Sequence, residues 1–288
     1  MSDNEAVDGS SSMLSNNICE PPTFNRLIND GMGHVICIAS QKGGVGKTTT
    51  AVNFSTALAV AEKKTLLIDS DPLGHATAGM GVEKDAISGT LYHGLLGHAD
   101  PEALIIESDL DFLSILPARV NLFRAETELL SRPDKERILK NFIGRFKERY
   151  DYTIIDSPPS LSLLAVNAMI AADAILIPLQ CEYYALAGMG HLLKTIQILK
   201  KNFNPELQIA GILLTMFDAA EPTSRKIAEM AQTHFRDRIF KTVIPRTADL
   251  RESAIRGKPL LLYDMRSRGA QSYLALASEF LAMRSKIK

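Results

Sequence analysis

The stretch His34-Val-Ile-Cys-Ile-Ala-Ser-Gln-Lys-Gly-Gly-Val-Gly-Lys-Thr-Thr-Thr50 constrains this chain more than any other. Val35 to Ala39 is a short apolar, β-branched run that reads as a buried strand, and Thr48 to Val60 reads as a helix. A glycine-rich loop joins them. Strand, loop and helix in that order make a phosphate site, because loop amides and a helix N-terminus aim partial positive charge at one point. Lys47 is placed to reach β- and γ-phosphates and the Thr48 hydroxyl to ligate Mg2+. Gly43, Gly44 and Gly46 keep side chains out of the way of a backbone closing on an anion. Val45 and Thr49 complete the candidate nucleotide-binding run.

The usual phosphate-loop motif has its first glycine where this chain has Gln41, and an additional lysine, Lys42, precedes Gly43. This Lys-Gly-Gly-x-Gly-Lys-Thr form resembles the deviant Walker A motif of the ParA/MinD family of dimeric ATPases. The resemblance implies a P-loop NTPase fold, an α/β doubly wound, mostly parallel sheet with helices on both faces. It also implies ATP and Mg2+ as ligands and a homodimer that forms when ATP is bound. In that dimer Lys42 reaches the nucleotide of the partner subunit, which places it with Lys47 and Asp71 among the candidate catalytic residues.

A chain of 288 residues is long enough for one large α/β domain that buries a full sheet. Residues 1–31 stand apart. Ser10 to Ser12, Asn16-Asn17 and Pro21-Pro22 mark a flexible polar tail that cannot bury enough surface to fold alone, with Phe24-Asn-Arg-Leu-Ile28 as its apolar island. The ATPase domain is then 32–288. Net charge is −1, so no global basic field advertises nucleic acid. Its distribution is uneven: Arg225 to Lys288 carries 14 basic against 6 acidic residues, whereas residues 1–34 carry 1 basic and 5 acidic. Any polyanion contact is therefore expected on the C-terminal third. Cys19, Cys37 and Cys181 form no C-x-x-C, which indicates neither a zinc site nor a disulfide framework, and Cys37 reads as a small core residue. No apolar run approaches the roughly 18 residues of a membrane span, and the N-terminus lacks a basic plus apolar signal segment. The expectation is a cytoplasmic protein without a stable membrane anchor.

Downstream, Lys64-Thr-Leu-Leu-Ile-Asp-Ser-Asp-Pro-Leu-Gly-His-Ala-Thr77 is a strand ending in carboxylates, the edge at which an α/β sheet presents ligands. By resemblance it is the family's switch I. Asp71 then organises the attacking water and the Mg2+ shell, and Asp69 supports it from behind. The family reads Asp-Pro-Gln-Gly-Asn here, and Leu73 and His75 replace its Gln and Asn. Asn121 to Leu130 and Asp134 to Arg149 read as helices, the second with apolar residues at 138, 139, 142, 143 and 146. Tyr152-Thr-Ile-Ile-Asp-Ser-Pro-Pro-Ser160 is a strand ending in Asp156, placed to hold the Mg2+ water shell, and its Pro-Pro turn matches the family's switch II. Thr48, Asp71 and Asp156 are thus the metal candidates.

Ala174-Ile-Leu-Ile-Pro-Leu-Gln-Cys-Glu-Tyr-Tyr-Ala-Leu-Ala-Gly188 is similar to the ParA form of its segment, which implies that Tyr183 and Tyr184 lie at the dimer interface. Further strands are read at Ile209 to Met216 and at Phe240-Lys-Thr-Val-Ile-Pro-Arg-Thr247. In the family these enclose the adenine, which assigns Met216, Pro245 and Arg246 to the base. A proline body and a guanidinium plane both offer it flat surfaces. Gly257-Lys-Pro-Leu-Leu-Leu-Tyr-Asp-Met-Arg-Ser-Arg-Gly-Ala270 matches the family's C-terminal signature, and the last helix, about Gln271 to Arg284, has core-packing spacing.

The resemblance is closest to chromosomal, Soj-like ParA proteins. It implies slow ATP hydrolysis stimulated by a ParB-like partner, in the partitioning or positioning of DNA or another large cargo. The ParA dimer holds nonspecific DNA through arginines in two segments, usually Asp-Ala-Arg-Thr and Pro-Arg-Asn-Val-Arg-Leu-Ser. Here they read Asp218-Ala-Ala-Glu221 and Pro245-Arg-Thr-Ala-Asp-Leu-Arg251, with Asp249 at an arginine position. Each lost phosphate contact lowers the salt slope of binding by about 0.9. Arg225, Lys226, Arg251, Arg256, Lys258 and Arg268 are the residues that would form a shifted patch, and the protein would be nucleoid-associated if they retain DNA. The alternative expectation is a MinD-like regulator or scaffold that recruits a protein complex without binding DNA.

Overall fold

The computed structural model describes residues 33–83, 87–182 and 185–285. The N-terminal tail with Cys19 and its apolar island, Tyr183, Tyr184 and the closing residues 286–288 lie outside the described residues. The chain runs β1 (His34–Ile38), α1 (Lys47–Val60), β2 (Thr65–Asp69), α2 (His75–Gly79), α3 (Leu91–Leu96), α4 (Pro101–Leu104), β3 (Ile106–Glu107), β4 (Leu113–Leu116), α5 (Leu122–Leu129), α6 (Ile138–Ile143) and β5 (Tyr152–Asp156). It continues through α7 (Leu163–Ala171), β6 (Ala174–Gln180), α8 (Ala185–Asn202), β7 (Gln208–Phe217), α9 (Pro222–Phe235), β8 (Ile239–Pro245), α10 (Ala248–Ile255), α11 (Leu260–Tyr263) and α12 (Arg268–Ser285).

The strands form one sheet in the order β3-β4-β2-β5-β1-β6-β7-β8. Every pairing is parallel except the two-residue β3 against β4. Helices cover both faces, as the doubly wound expectation requires. On one face α1 and α12 pack around Phe54, Leu58, Tyr273 and Phe280, with Phe54 and Phe280 edge to face at 5.3 Å. On the other, Leu122, Phe142, Met169 and Leu192 form the core. Strands buried on both faces explain why β1, β2 and β5 read as continuous apolar runs rather than alternating ones. Cys37 is fully buried in β1, and Cys37 and Cys181 are free thiols.

Register sets the site. Asp156 at the end of β5 pairs with Ile38 of β1 on one side and with Asp69 of β2 on the other. The strand that opens into the glycine loop and the two carboxylate strands therefore finish level, at the carboxyl edge where ligands bind in such sheets. Among the described residues no helix is long and apolar enough to cross a membrane.

One expected helix is shorter than its periodicity suggests. Between Asp134 and Arg149 only Ile138–Ile143 is α-helical, followed by a 3-10 turn at Lys147–Arg149. The apolar residues at 138, 139, 142, 143 and 146 are all buried as that spacing predicts. The helix cannot start earlier because Asn167 takes the local backbone for itself. Its Oδ1 accepts from Leu139 N at 3.1 Å and its Nδ2 donates to Lys135 O at 2.7 Å. After Gly144 the chain tightens into short-range bonds, Arg145 N to Phe142 O and Phe146 N to Ile143 O.

A contact outside the sheet joins α2 to the end of α10. Gly81 and Gly257 both have positive φ, 75° and 60°. A Cβ on Gly81 would lie 2.7 Å from Gly257 O, and one on Gly257 would lie 2.9 Å from Ala78 O. Glycine is required twice over at each position, for conformation and for space.

Candidate active site at the carboxyl edge of the sheet

The loop between β1 and α1 turns through Gly44 at φ 74° and Gly46 at φ 90°, and Gly46 is the N-cap of α1. Neither a side-chain cap nor an acidic first-turn residue occupies the helix start, so its first amides are left for an incoming anion. At Gly43 and Gly44 a Cβ would meet no protein atom within 4 Å, so the loop is open there. Val45 contributes backbone alone. Its side chain is buried and its carbonyl accepts from Thr215 Oγ1 at 2.8 Å, which fastens the loop to β7. Thr215→Val removes the donor while keeping the shape and leaves the carbonyl unpaired, at a cost of about 1–3 kcal/mol. We expect a lower unfolding temperature and weaker nucleotide binding, checked by thermal unfolding with and without ATP and Mg2+.

Lys47 is 7% exposed and donates from Nζ to the Lys42 carbonyl at 3.1 Å. Burial pushes its ammonium below the usual lysine range, against the pull of Asp156 and then Asp71. Asp156 is wholly buried, and neither of its carboxylate oxygens has a hydrogen-bond partner. Burial first, then the charges of Asp69 and Asp71, hold its carboxyl well above the normal carboxylate range. The nearby Thr48 hydroxyl and Lys47 oppose that rise. A buried carboxylate with orphaned oxygens, near a threonine hydroxyl and Asp71, is the donor set a hard dication requires, so the residues fit Mg2+.

Asp69 does a different job. Its Oδ2 accepts from Thr77 N and Thr77 Oγ1, both at 2.7 Å, and its Oδ1 accepts from Asp71 N at 3.2 Å. Burial still pushes its carboxyl up to about 6. Those bonds fold the turn that carries Asp71, which agrees with the supporting role expected of Asp69. Asp71 is 6% exposed, and its Oδ1 accepts from Leu73 N at 2.9 Å. The residues that depart from the family motif, Leu73 and His75, are exposed.

Beside the loop is a cavity of about 390 Å³ lined by Gly46, Thr49, Met216, Pro245, Arg246 and Thr247, among others. It unites the three residues assigned to the base with the start of α1. Met216 holds a positive φ of 52°, rare for a side chain of its kind, where β7 ends. Two cavity features escaped sequence reasoning. The Thr247 hydroxyl is buried without a partner although Thr247 is the N-cap of α10, and Thr215 doubles as lining and loop anchor. Both adjoin assigned residues in sequence, and that adjacency was the available signal.

Lys42 lies at the mouth of the site, its side chain 42% exposed and ion-paired with Glu182 at 3.2 Å. The basic candidates divide into groups. Arg225 and Lys226 open α9 just beyond β7, and Arg251 follows β8. Phe217 and Pro245 are register partners, so these segments share the carboxyl edge. Arg251 also lines the cavity beside the loop, and Arg225 is engaged with its own turn through Nη1 to Ala219 O. Arg256 lies over the Tyr263 ring at 5.6 Å, and Lys258 and Arg268 are exposed. Asp249, at the family's arginine position, sits in the first turn of α10, where an acid favours the helix dipole.

A family model described as an AAA domain matches residues 33–209. The chain is 47% identical over 251 residues to the sporulation initiation inhibitor protein Soj of Bacillus subtilis (strain 168), covering 87% of this chain and 99% of that protein. It is 46% identical over 250 residues to the chromosome partitioning protein ParA of Myxococcus xanthus (strain DK1622), covering 87% and 88% respectively. A solved structure of cobyrinic acid a,c-diamide synthase from Mycobacterium smegmatis with bound ADP and magnesium superposes with a TM-score of 0.78 at 32% identity. That match covers 89% of this chain and 97% of the other.

Proposed function

Because the chain belongs to the ParA/MinD family of P-loop ATPases, we propose that it is an ATP-driven partitioning switch that pairs with a second copy when ATP and Mg2+ are bound. The observation that carries this reading is the joint placement of Lys47, Thr48, Asp71 and Asp156 under an open glycine loop, with a second lysine, Lys42, at its mouth. The loop amides and Lys47 hold the β- and γ-phosphates, and the cavity between Met216, Pro245 and Arg246 takes the base. Thr48, Asp71 and Asp156 hold Mg2+, which when bound neutralises charge on the phosphate oxygens. Asp71 orients the attacking water. Little covalent help is asked of the protein, since phosphoryl transfer is governed by positioning and charge. Lys42 completes the site of the partner subunit, which makes association depend on ATP. Hydrolysis is slow and is stimulated by a ParB-like partner, and the protein works in the cytoplasm.

The cargo divides two readings. Retention of DNA by Arg225, Lys226, Arg251, Arg256, Lys258 and Arg268 supports chromosome or plasmid partitioning from the nucleoid. The acidic Glu221 and Asp249 favour the second reading, a MinD-like switch that recruits a protein complex without DNA. Asp71→Ala, which removes the group that orients water, is expected to trap the dimer with ATP in a sizing measurement. Nonspecific duplex DNA is then added at low and at physiological salt. Retention that falls steeply with salt supports partitioning, and no retention at either salt assigns the second reading. A chain that stays single with ATP in this variant overturns the switch itself.

A further inference from the structure

The lysine on which pairing depends is already engaged in the single chain. Lys42 Nζ is 3.2 Å from Glu182 Oε2 and donates to Gln180 Oε1 at 3.3 Å. The other oxygen of Glu182 accepts from Gln180 Nε2 at 2.5 Å and lies 3.5 Å from Arg246 Nη2. One carboxylate therefore joins the loop lysine to the arginine beside the base cavity. Its anchor is rigid, because Gln180 ends β6, is buried, and is a register partner of Thr215, the residue that also fastens the glycine loop.

From this geometry we infer that Glu182 is a positioning residue for Lys42, holding its ammonium on its own protomer until a nucleotide across an interface draws it away. The inference rests on the trans role of Lys42 proposed above. It adds a cis state that competes with that role. Lys42 is 42% and Glu182 47% exposed, and exposed ion pairs are weak. The hold accordingly tunes the threshold for pairing without blocking it, at about two- to fivefold in the equilibrium. Since Arg246 shares the carboxylate, the base cavity and the position of Lys42 report to the same group.

Glu182→Gln in the full chain keeps the side-chain shape and removes the charge. In nucleotide-free protein, Lys42 should then react about two- to fivefold faster with acetic N-hydroxysuccinimide ester, read by peptide mass spectrometry, while Lys63 is unchanged. Raising salt should speed Lys42 labelling in the natural chain and not in the variant, a response that a merely structural role would not give. Half-maximal pairing should need correspondingly less ATP. Glu182→Asp, which retains the charge, should restore part of the protection. Equal Lys42 labelling in the natural and Gln chains overturns the cis hold. If labelling differs as expected yet neither chain pairs with ATP, it is the trans role of Lys42 that falls, and the positioning role falls with it.

Discussion

Asp156→Asn is expected to raise the unfolding temperature of the ligand-free protein while lowering Mg2+-dependent ATP turnover by about a hundredfold or more. The two effects have one cause. Asp156 is buried with both carboxylate oxygens unpartnered, an arrangement that suits a bound dication and penalises the empty chain. The neutral amide removes the charge and should recover about 1–3 kcal/mol. For a chain of this size that is a few degrees for each kcal/mol, about 2–4 °C. The pH dependence gives the sign independently. Burial raises the folded-state carboxyls of Asp156 and Asp69, the latter to about 6, so the folded chain binds more protons than the unfolded one above about pH 4. Stability from these groups is greatest below their unfolded pKa and declines as pH rises through the folded values. Thermal unfolding at pH 5 and pH 7.5 should therefore show a smaller loss on going to the higher pH for the Asn variant than for the natural chain. A ligand-free variant less stable than the natural chain at pH 7.5 would contradict the assignment of Asp156 as the metal-bearing carboxylate.

Lys42→Ala is expected to leave ATP binding nearly intact while abolishing ATP-dependent pairing and lowering turnover by about a thousandfold. That is the lower range for a cation supplied to phosphoryl transfer from another subunit. The separation is credible because the contribution of Lys42 to its own loop is its carbonyl, which accepts from Lys47 Nζ, and alanine keeps that carbonyl. The Lys42 side chain instead points to Gln180 and Glu182. Fluorescent nucleotide titration, sizing with ATP and a phosphate-release assay would read the three quantities separately. Pairing and turnover at the level of the natural chain would remove Lys42 from any role across an interface.

Much of this site was legible because its chemistry dictates residue types at short spacing. Lys47 and Thr48 directly follow the glycine loop and Asp156 closes a strand, so a local window suffices to single out each, whereas Asp71, two residues past the end of β2, was reached through the resemblance. Met216, Pro245 and Arg246 were reached through family resemblance, since nothing in their spacing speaks of a base; the structure brings them around one cavity. The contacts of Lys42 lay beyond sequence reasoning because Gln180 and Glu182 stand 138 and 140 residues away. The helix expected from Asp134 failed for a similar reason: its periodicity was correct, but a remote side chain, Asn167, claimed the backbone groups on which an earlier start depended. Asp249 looked only like a lost phosphate contact until α10 placed it at a helix start.

The backbone contact between Gly81 and Gly257 leaves no slack between the end of α2, the helix that follows the Asp71 turn, and the end of α10, the helix that Thr247 caps. With no side chain in between to change rotamer, the two segments behave as touching surfaces of one solid. At this contact a change in the spacing of the two helices must be carried by the main chain itself, because no side chain stands there to give way.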